Sequence, residues 1–123
     1  MQGVVKNIIQ KAKENTFFRQ VLETGDKTQI VIMSIPKGGE IGEEVHPDND
    51  QVLFLAEGQG ETILNEQKTA FEQGDIVLVR AGIKHNFVNT GEKDLKIITT
   101  YSPSHHPAGT VHKTKEEADK AEY

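Results

Sequence analysis

The sequence contains no cysteine, which excludes thiol chemistry. Disulfides, thiolate metal sites and cysteine nucleophiles all need a thiol, so each of them is excluded. The N-terminal stretch MQGVVKNIIQKAKENT also lacks a long apolar run, and we expect neither a signal peptide nor a membrane span. The default expectation is therefore a cytoplasmic protein without a membrane partner.

The chain has no excess of positive charge either. Its net charge is -5 and its isoelectric point is near 5.5, which argues against a surface that binds nucleic acids or anionic membranes. The two arginines, Arg19 and Arg80, are far apart in sequence and form no basic patch. We therefore predict no nucleic-acid partner.

The length of 123 residues suits one domain with one core. Hydrophobic residues make up 35% of the chain and charged residues 27%, which is typical of a soluble globular protein. We predict a single domain over residues 1–123, with a core of about residues 15–102 and a C-terminal tail of residues 103–123.

The hydrophobic pattern changes from helical to strand-like near residue 15. Apolar residues have helical spacing in 2–14, whereas short β-branched and apolar runs separated by glycine turns follow. The predicted strands are 15–24, 27–35, 51–58, 60–65, 68–75, 76–82, 84–91 and 94–102. Turns that recur about every eight to twelve residues are typical of an all-β sandwich or barrel. In the tail, residues 113–122 are predicted to form a short helix with Thr114 as its N-cap and Glu117 three residues later.

The stretch GEEVHPDNDQ, residues 42–51, is the densest cluster of potential metal ligands. Residues i and i+2 of a strand share a face, so Glu44 and His46 are expected to point the same way. Gln51 begins the next predicted strand and His85 begins a later one. If the four converge in a barrel mouth, they offer imidazole, carboxylate and amide ligands for a divalent ion.

Asp48 and Asp50 compete for the same role. The segment PDND that contains them has the composition of a turn, in which Asp and Asn bond to their own backbone. Pairing His46 with Asp48 would also leave only two residues before Gln51. We therefore expect the aspartates to form the turn.

Two motifs here resemble the signature motifs of the cupin superfamily. The first reads G-x5-H-x-H-x3–4-E-x6-G, and its positions are occupied by Gly38, Glu44, His46, Gln51 and Gly58. The second reads G-x5-P-x-G-x2-H-x3-N, and its positions are occupied by Gly74, Arg80, Gly82, His85 and Asn89. The sequence departs from the family where Glu44 replaces a histidine, Gln51 a glutamate and Arg80 a proline.

The resemblance implies both a fold and a metal site. The expected fold is an all-β cupin double-stranded β-helix, a small antiparallel β-barrel or jelly roll, with short N- and C-terminal helical segments. The implied metal ligands are Glu44, His46, Gln51 and His85. With only two imidazoles this set is hard, which favours Zn, Mn, Fe or Ni, although a glutamine amide is a weaker donor than a carboxylate.

The implied ligand is a small molecule bound in the barrel mouth. Leu53, Leu55 and Phe87 are predicted to line its pocket as an apolar wall. The tail is similar to tails of small cupins often labelled mannose-6-phosphate-isomerase-like. If it folds back over the mouth, His105 or His106 supplies a catalytic acid or base. The alternative is a surface segment packed on the barrel or on a partner subunit.

Three functions are compatible with these features. One is a metal-dependent enzyme that resembles a sugar or sugar-phosphate isomerase, and another is a metal-dependent dioxygenase. The third is a non-catalytic cupin module that binds a small ligand or a metal. The N-terminal helix and the tail are expected to provide the surfaces of a homodimer.

Overall fold

A computed structural model of the chain describes residues 3–121. In chain order the elements are α1 (Ile8–Glu14), β1 (Arg19–Thr24), β2 (Gln29–Ile35), β3 (Asp50–Glu57), β4 (Gln59–Leu64), β5 (Gln67–Glu72), β6 (Ile76–Val79), β7 (His85–Asn89), β8 (Leu95–Ser102), β9 (Val111–His112) and α2 (Lys115–Lys120). Within this described range, no helix is both long and apolar enough to cross a membrane.

The strands form two antiparallel sheets. The larger has the order β6-β3-β8-β2-β1-β9 and the smaller the order β5-β4-β7. Isolated bridges at Glu40–Val88 and Glu44–His85 add residues 40–44 to the free edge of β7. This arrangement is the predicted all-β double-stranded β-helix, and the two short helices lie near its chain ends.

The main hydrophobic core fills the space between the sheets. Its largest members are fully buried and come from both sheets, among them Met33, Leu53, Leu55, Phe71 and Phe87. Each such side chain contributes roughly 1.5–3 kcal/mol of burial free energy. A second cluster, in which Ala12 of α1 packs against Ile32 and Ala56, lies on the outer face of the larger sheet. Helix α1 therefore stays outside the barrel.

Gly58 carries the chain from the larger sheet into the smaller one, between β3 and β4. Its φ angle is +109°, and a Cβ at this position would lie 2.7 Å from the carbonyl oxygen of Asp94. Any other residue would meet both backbone strain and a steric clash there. This requirement explains why the first motif ends in a glycine at position 58.

Several predicted boundaries were wrong. Helix α1 begins at Ile8, not near residue 2, and Gln2 itself lies outside the described residues. The first strand begins at Arg19 and not at Asn15, because the Asn15 side chain bonds to the N–H and carbonyl of Phe17 and turns the chain there. Residues 44–46 form no strand of their own, since Glu44 makes a single bridge to β7.

The tail contains the predicted helix and an unpredicted strand. Helix α2 has the expected capping box, in which Thr114 and Glu117 each accept from the other's backbone N–H. The predicted end at Glu122 lies outside the described residues. Strand β9 was missed because two residues are too few to show a period, and its pairing with β1 is what defines it.

Gln29 fastens the tail across one end of the barrel. This side chain is fully buried, and its Oε1 accepts the backbone N–H groups of His105 and His106 at 3.2 and 3.0 Å. Its Nε2 donates to the carbonyl of His106 at 2.7 Å and to Oγ1 of Thr24 at 2.9 Å. One amide group on β2 therefore satisfies three backbone groups of the tail.

We predict that Gln29→Ala destabilises the fold by about 1–3 kcal/mol, because buried backbone groups of the tail lose their partners. Hydrogen exchange of the amides of residues 104–112 should accelerate more than that of β4. Gln67→Ala, on exposed β5, is the matched control and should change stability by less than about 0.5 kcal/mol. Equal effects of the two substitutions in chemical denaturation would contradict this account of the tail.

Candidate metal centre

The smaller sheet brings Glu44, His46 and His85 together. One ligand atom of each residue lies within 4.8 Å of the other two, and Glu44 Oε1 is 3.8 Å from His46 Nε2. The backbone sets this proximity, since Glu44 and His85 exchange two N–H to carbonyl hydrogen bonds of 2.9 Å. The Gly82 N–H also donates to the His46 carbonyl at 2.9 Å, so the second motif holds the first in place.

Among residues 3–121, the buried side-chain atoms without a hydrogen-bond partner include three that can bind a metal at this end of the barrel. They are His46 Nε2, His85 Nε2 and Gln51 Oε1. His85 Nδ1 lies 2.8 Å from the Ile83 carbonyl and donates to it, which leaves Nε2 as the free lone pair. Gln51 Nε2 donates to Thr99 Oγ1 at 3.1 Å, which leaves Oε1 as the free acceptor.

These acceptor atoms fit a divalent metal ion. An unsatisfied buried polar atom costs about 1–3 kcal/mol, and three of them together are a large cost for a small domain. A cation bound by these atoms and by the Glu44 carboxylate would remove that cost. Glu44, His46 and His85 are therefore a candidate metal site, with Gln51 Oε1 as a further free acceptor.

The electrostatic environment keeps His46 neutral. Burial lowers the pKa of His46 to about 4, and the charges of His105, His85 and Arg19 act in the same direction. Burial raises the pKa of Glu44, while the nearby positive charge of Arg19 opposes this rise. At neutral pH His46 therefore needs no deprotonation before it binds a metal.

The competing aspartates lie outside the cluster. Asp48 and Asp50 are both exposed, and Asp50 Oδ1 accepts the Ala81 N–H at 2.8 Å. Asp50 therefore ties the turn between Pro47 and Gln51 to the loop after β6. Asp48 lies in the bend before β3, whereas the turn prediction was wrong for Asp50, which is the first residue of β3 and bonds to Ala81 instead of its own backbone.

The residues predicted to line the pocket belong to the core. Leu53, Leu55 and Phe87 have no exposed surface and pack with the other members of the main cluster. They lie on the same strand faces as Gln51 and His85, and thus beside the polar cluster. Their direct contact with a ligand remains a prediction.

The tail brings His105 and His106 to the same end of the barrel. The His105 ring centroid lies 4.6 Å from that of His46, and the ring stacks on Tyr101 at 5.4 Å. His106 is buried 5.0 Å from Tyr101. The tail therefore folds back over this end of the barrel, as the first of the two alternatives for the tail requires. All five histidines of the chain form a continuous row of ring contacts, in the order His85, His46, His105, His106 and His112.

Sequence reasoning did not place Arg19 inside the barrel. It is 95% buried in the barrel, opposite His112 in the β1–β9 pairing, and its Nη1 lies 3.2 Å from His112 Nδ1. The available signal was the two-residue period of β1, which places Arg19 on the same inward face as Val21. Arg80, in contrast, is exposed.

The two-sheet barrel and its histidine–carboxylate cluster define a protein of the cupin class, and the sequence comparison agrees. The family described as "Cupin domain" matches residues 31–101, and the chain belongs to this family. The resemblance inferred from the two motifs is thereby confirmed.

The chain is similar to several known proteins. The uncharacterized protein YrkC of Bacillus subtilis is 42% identical, over 96% of this chain and 67% of YrkC. The uncharacterized mimivirus protein L612 is 32% identical, over 89% of this chain and 71% of L612. The crystal structure of BH2720 from Bacillus halodurans superposes with a TM-score of 0.95 at 39% identity, covering 98% of this chain and 96% of that one. KdgF from Halomonas sp., with a TM-score of 0.66 at 21% identity over 71% of this chain and 78% of that chain, shows the fold alone.

We predict that the free energy of unfolding decreases as the pH is lowered, and that His106 contributes to this decrease. Burial lowers the pKa of His106 from 6.5 to about 2, and the charges that assist are those of Arg19, His105, His112 and His46. In the unfolded chain His106 takes up a proton below about pH 6.5, whereas the folded protein resists it, so acidification favours unfolding by up to about 1.4 kcal/mol per pH unit.

Substitution His106→Gln should therefore flatten the loss of unfolding free energy between about pH 7 and about pH 5. Urea denaturation at several pH values in this range measures the slope. A variant slope as steep as that of the wild type would show that His106 does not resist protonation in the folded state.

Proposed function

We propose that this cupin binds one divalent metal ion through Glu44, His46, Gln51 and His85, and that the ion binds a small molecule in the barrel mouth. The observation that carries this proposal is the set of three buried, unpartnered acceptors beside the Glu44 carboxylate. The cupin family and the position of the four residues in its motifs support the same assignment.

Two imidazoles, one carboxylate and one amide form a ligand set suited to Zn, Mn, Fe or Ni. When bound, such an ion polarises an oxygen atom of the molecule that it contacts. The chain's own residues supply the orientation. Ile83 fixes the tautomer of His85, and Thr99 fixes the amide of Gln51.

His105 is the proposed acid or base of an enzymatic reaction at this site. Its ring contacts those of His46 and Tyr101, and burial, aided by the charge of Arg19, lowers its pKa. The imidazole is therefore neutral at pH 7 and available to accept a proton. An acid or base at this place would serve an isomerase-like enzyme, whereas oxygen uptake by an iron-loaded sample would identify a dioxygenase.

A non-catalytic binding module is the second candidate, and the covered mouth favours it. His46, Gln51 and His85 are each less than a tenth exposed, and Gln29 fastens the tail beside them. Such a closed site suits retention of a metal or small ligand. Turnover by the metal-loaded protein would reject this candidate in favour of the enzyme.

We predict that purified, untagged protein contains one divalent metal per chain. His46→Ala and His85→Ala should each reduce the metal content far below one per chain, because each removes an imidazole ligand. Mass spectrometry of the elements, with protein concentration from amino-acid analysis, measures the ratio. Stoichiometric metal that survives both substitutions would reject the proposed site.

The same samples test which acid binds the metal. Glu44→Gln should weaken metal affinity on the order of tenfold or more, whereas Asp48→Asn, in the exposed turn, is the matched control and should leave it unchanged. Competition with a fluorescent chelator gives both affinities. The reverse order would place the ligand in the turn.

We also propose a homodimer through α1 and the tail. Val4 and Ile9 are 63% and 48% exposed in the N-terminal region, and Val111 of β9 is 43% exposed, so both regions present apolar surface. Light scattering coupled to gel filtration should give twice the mass of 13.7 kDa, and a monomer mass would refute this assembly.

A further inference from the structure

Arg19 carries a buried positive charge without a carboxylate partner. Its guanidinium carbon lies 5.3 Å from the centroid of the Phe18 ring, and Nη1 lies against His112. Its Nε is buried and has no hydrogen-bond partner. Among the ion pairs between residues 3 and 121, none involves Arg19. Buried charges are normally paired, and the charge of Glu44 acts on Arg19 only from beyond ion-pair distance. The Nε–H is therefore open to an anion from outside the chain.

The guanidinium lies within electrostatic range of the proposed metal ligands. Burial raises the pKa of Glu44 and lowers that of His46, and the charge of Arg19 opposes the first shift and adds to the second. The Arg19 side chain is also hydrogen-bonded to that of Tyr101. The row of imidazole contacts connects the two places, because His46 contacts His105 and the row ends at His112, which Arg19 touches. Arg19 and the metal ligands therefore face one shared polar interior.

The charges of that interior favour an anionic ligand. A divalent cation and Arg19 together bring three positive charges, and Glu44 is the acidic member of the metal-ligand cluster. The remaining positive charge would be costly in a buried site without a counter-ion. An anion bound between the metal and Arg19 would offset it.

We infer that Arg19 binds a carboxylate group of the small molecule that occupies the barrel mouth, which assigns the ligand to the small carboxylic acids. The planar guanidinium matches a carboxylate in a two-point hydrogen bond, and the orphaned Nε–H supplies one of the two donors. The inference rests on the proposed function, because it names the substrate class of the same site.

This assignment gives Arg19 a role distinct from that of the metal. The carboxylate end of the molecule contacts Arg19, and an oxygen atom at its other end faces the metal ligands. His105 contacts His46 and Tyr101 and therefore lies between the two ends. Arg19 thus selects the class of molecule and sets its orientation, and it takes no part in holding the metal.

The test uses acetate as the probe and acetamide as its neutral counterpart. Each is titrated into isotope-labelled protein, with and without added zinc, and followed by nitrogen–proton correlation NMR. We expect acetate to shift the Nε–H resonance of Arg19 and the amide of His105, and acetamide to leave both unchanged. Arg19→Gln should weaken acetate binding about tenfold or more. Arg19→Lys should weaken it less, because lysine keeps the positive charge but lacks the two parallel N–H donors of the guanidinium.

Arg80→Gln is the matched control, because Arg80 is the other arginine and is exposed. It should bind acetate as the wild type does. Acetate affinity that is equal in wild type, Arg19→Gln and Arg19→Lys overturns the inference. Binding of inorganic phosphate without binding of acetate overturns the choice of a carboxylate. If Arg19→Gln does not fold, the inference is tested by the shift of the Arg19 Nε–H resonance in the wild type and by the acetate affinity of Arg19→Lys.

Metal content, measured on the same samples, separates this inference from the proposed function. Arg19→Gln should retain the metal content of the wild type, since Arg19 is not a ligand. If no variant and no wild-type sample binds metal, the proposed function fails. If metal-free protein binds acetate and Arg19→Gln weakens that binding, the carboxylate assignment is still supported. If neither the metal-free nor the zinc-loaded protein shows acetate binding that depends on Arg19, the carboxylate assignment is rejected.

Discussion

The paired hydrogen bonds between the backbones of Glu44 and His85 are the constraint on which the site depends. Two N–H to carbonyl bonds of 2.9 Å hold the segment after β2 against the start of β7. Without them, residues contributed by two separate motifs would have no common location. The bridge needs no particular side chain, so the site is positioned by the backbone of the smaller sheet and its chemistry is set by the side chains.

A polar interior at one end of the barrel is stabilised by the apolar core beside it. The fully buried Leu53, Leu55 and Phe87 supply burial free energy next to acceptors that lack partners. Arg19 adds a buried charge to this end, and the tail covers it through Gln29. Such locally unfavourable groups persist where the surrounding fold holds them, and they are common at functional sites.

The strand pattern could be predicted because it follows from short-range rules, and the four candidate ligands were proposed from the spacing of the two motifs, of which Glu44, His46 and His85 lie together in the structure. The expected strand alternation at Glu44 and His46 was wrong, since residues 44–46 form no strand, and the bridge from Glu44 to His85 brings the two motifs together instead. The positions of Arg19 and of the hydrogen bonds from Gln29 to the tail could not be predicted from the sequence, because they arise from contacts between segments far apart in the chain. Likewise, turn composition predicted Asp48 and Asp50 as turn residues, but the place of Asp50 at the start of β3 and its bond from Ala81 appear only in the folded chain.

The central claim is that one metal ion satisfies the buried acceptors of this barrel. The most direct measurement is a crystal structure of the protein grown with zinc, with anomalous diffraction data at the metal edge. The account predicts one anomalous peak per chain, at about 2.0–2.2 Å from His46 Nε2, His85 Nε2 and oxygen atoms of Glu44 and Gln51. A map without a peak between the two imidazoles, or with the metal bound by Asp48 or Asp50, would contradict it.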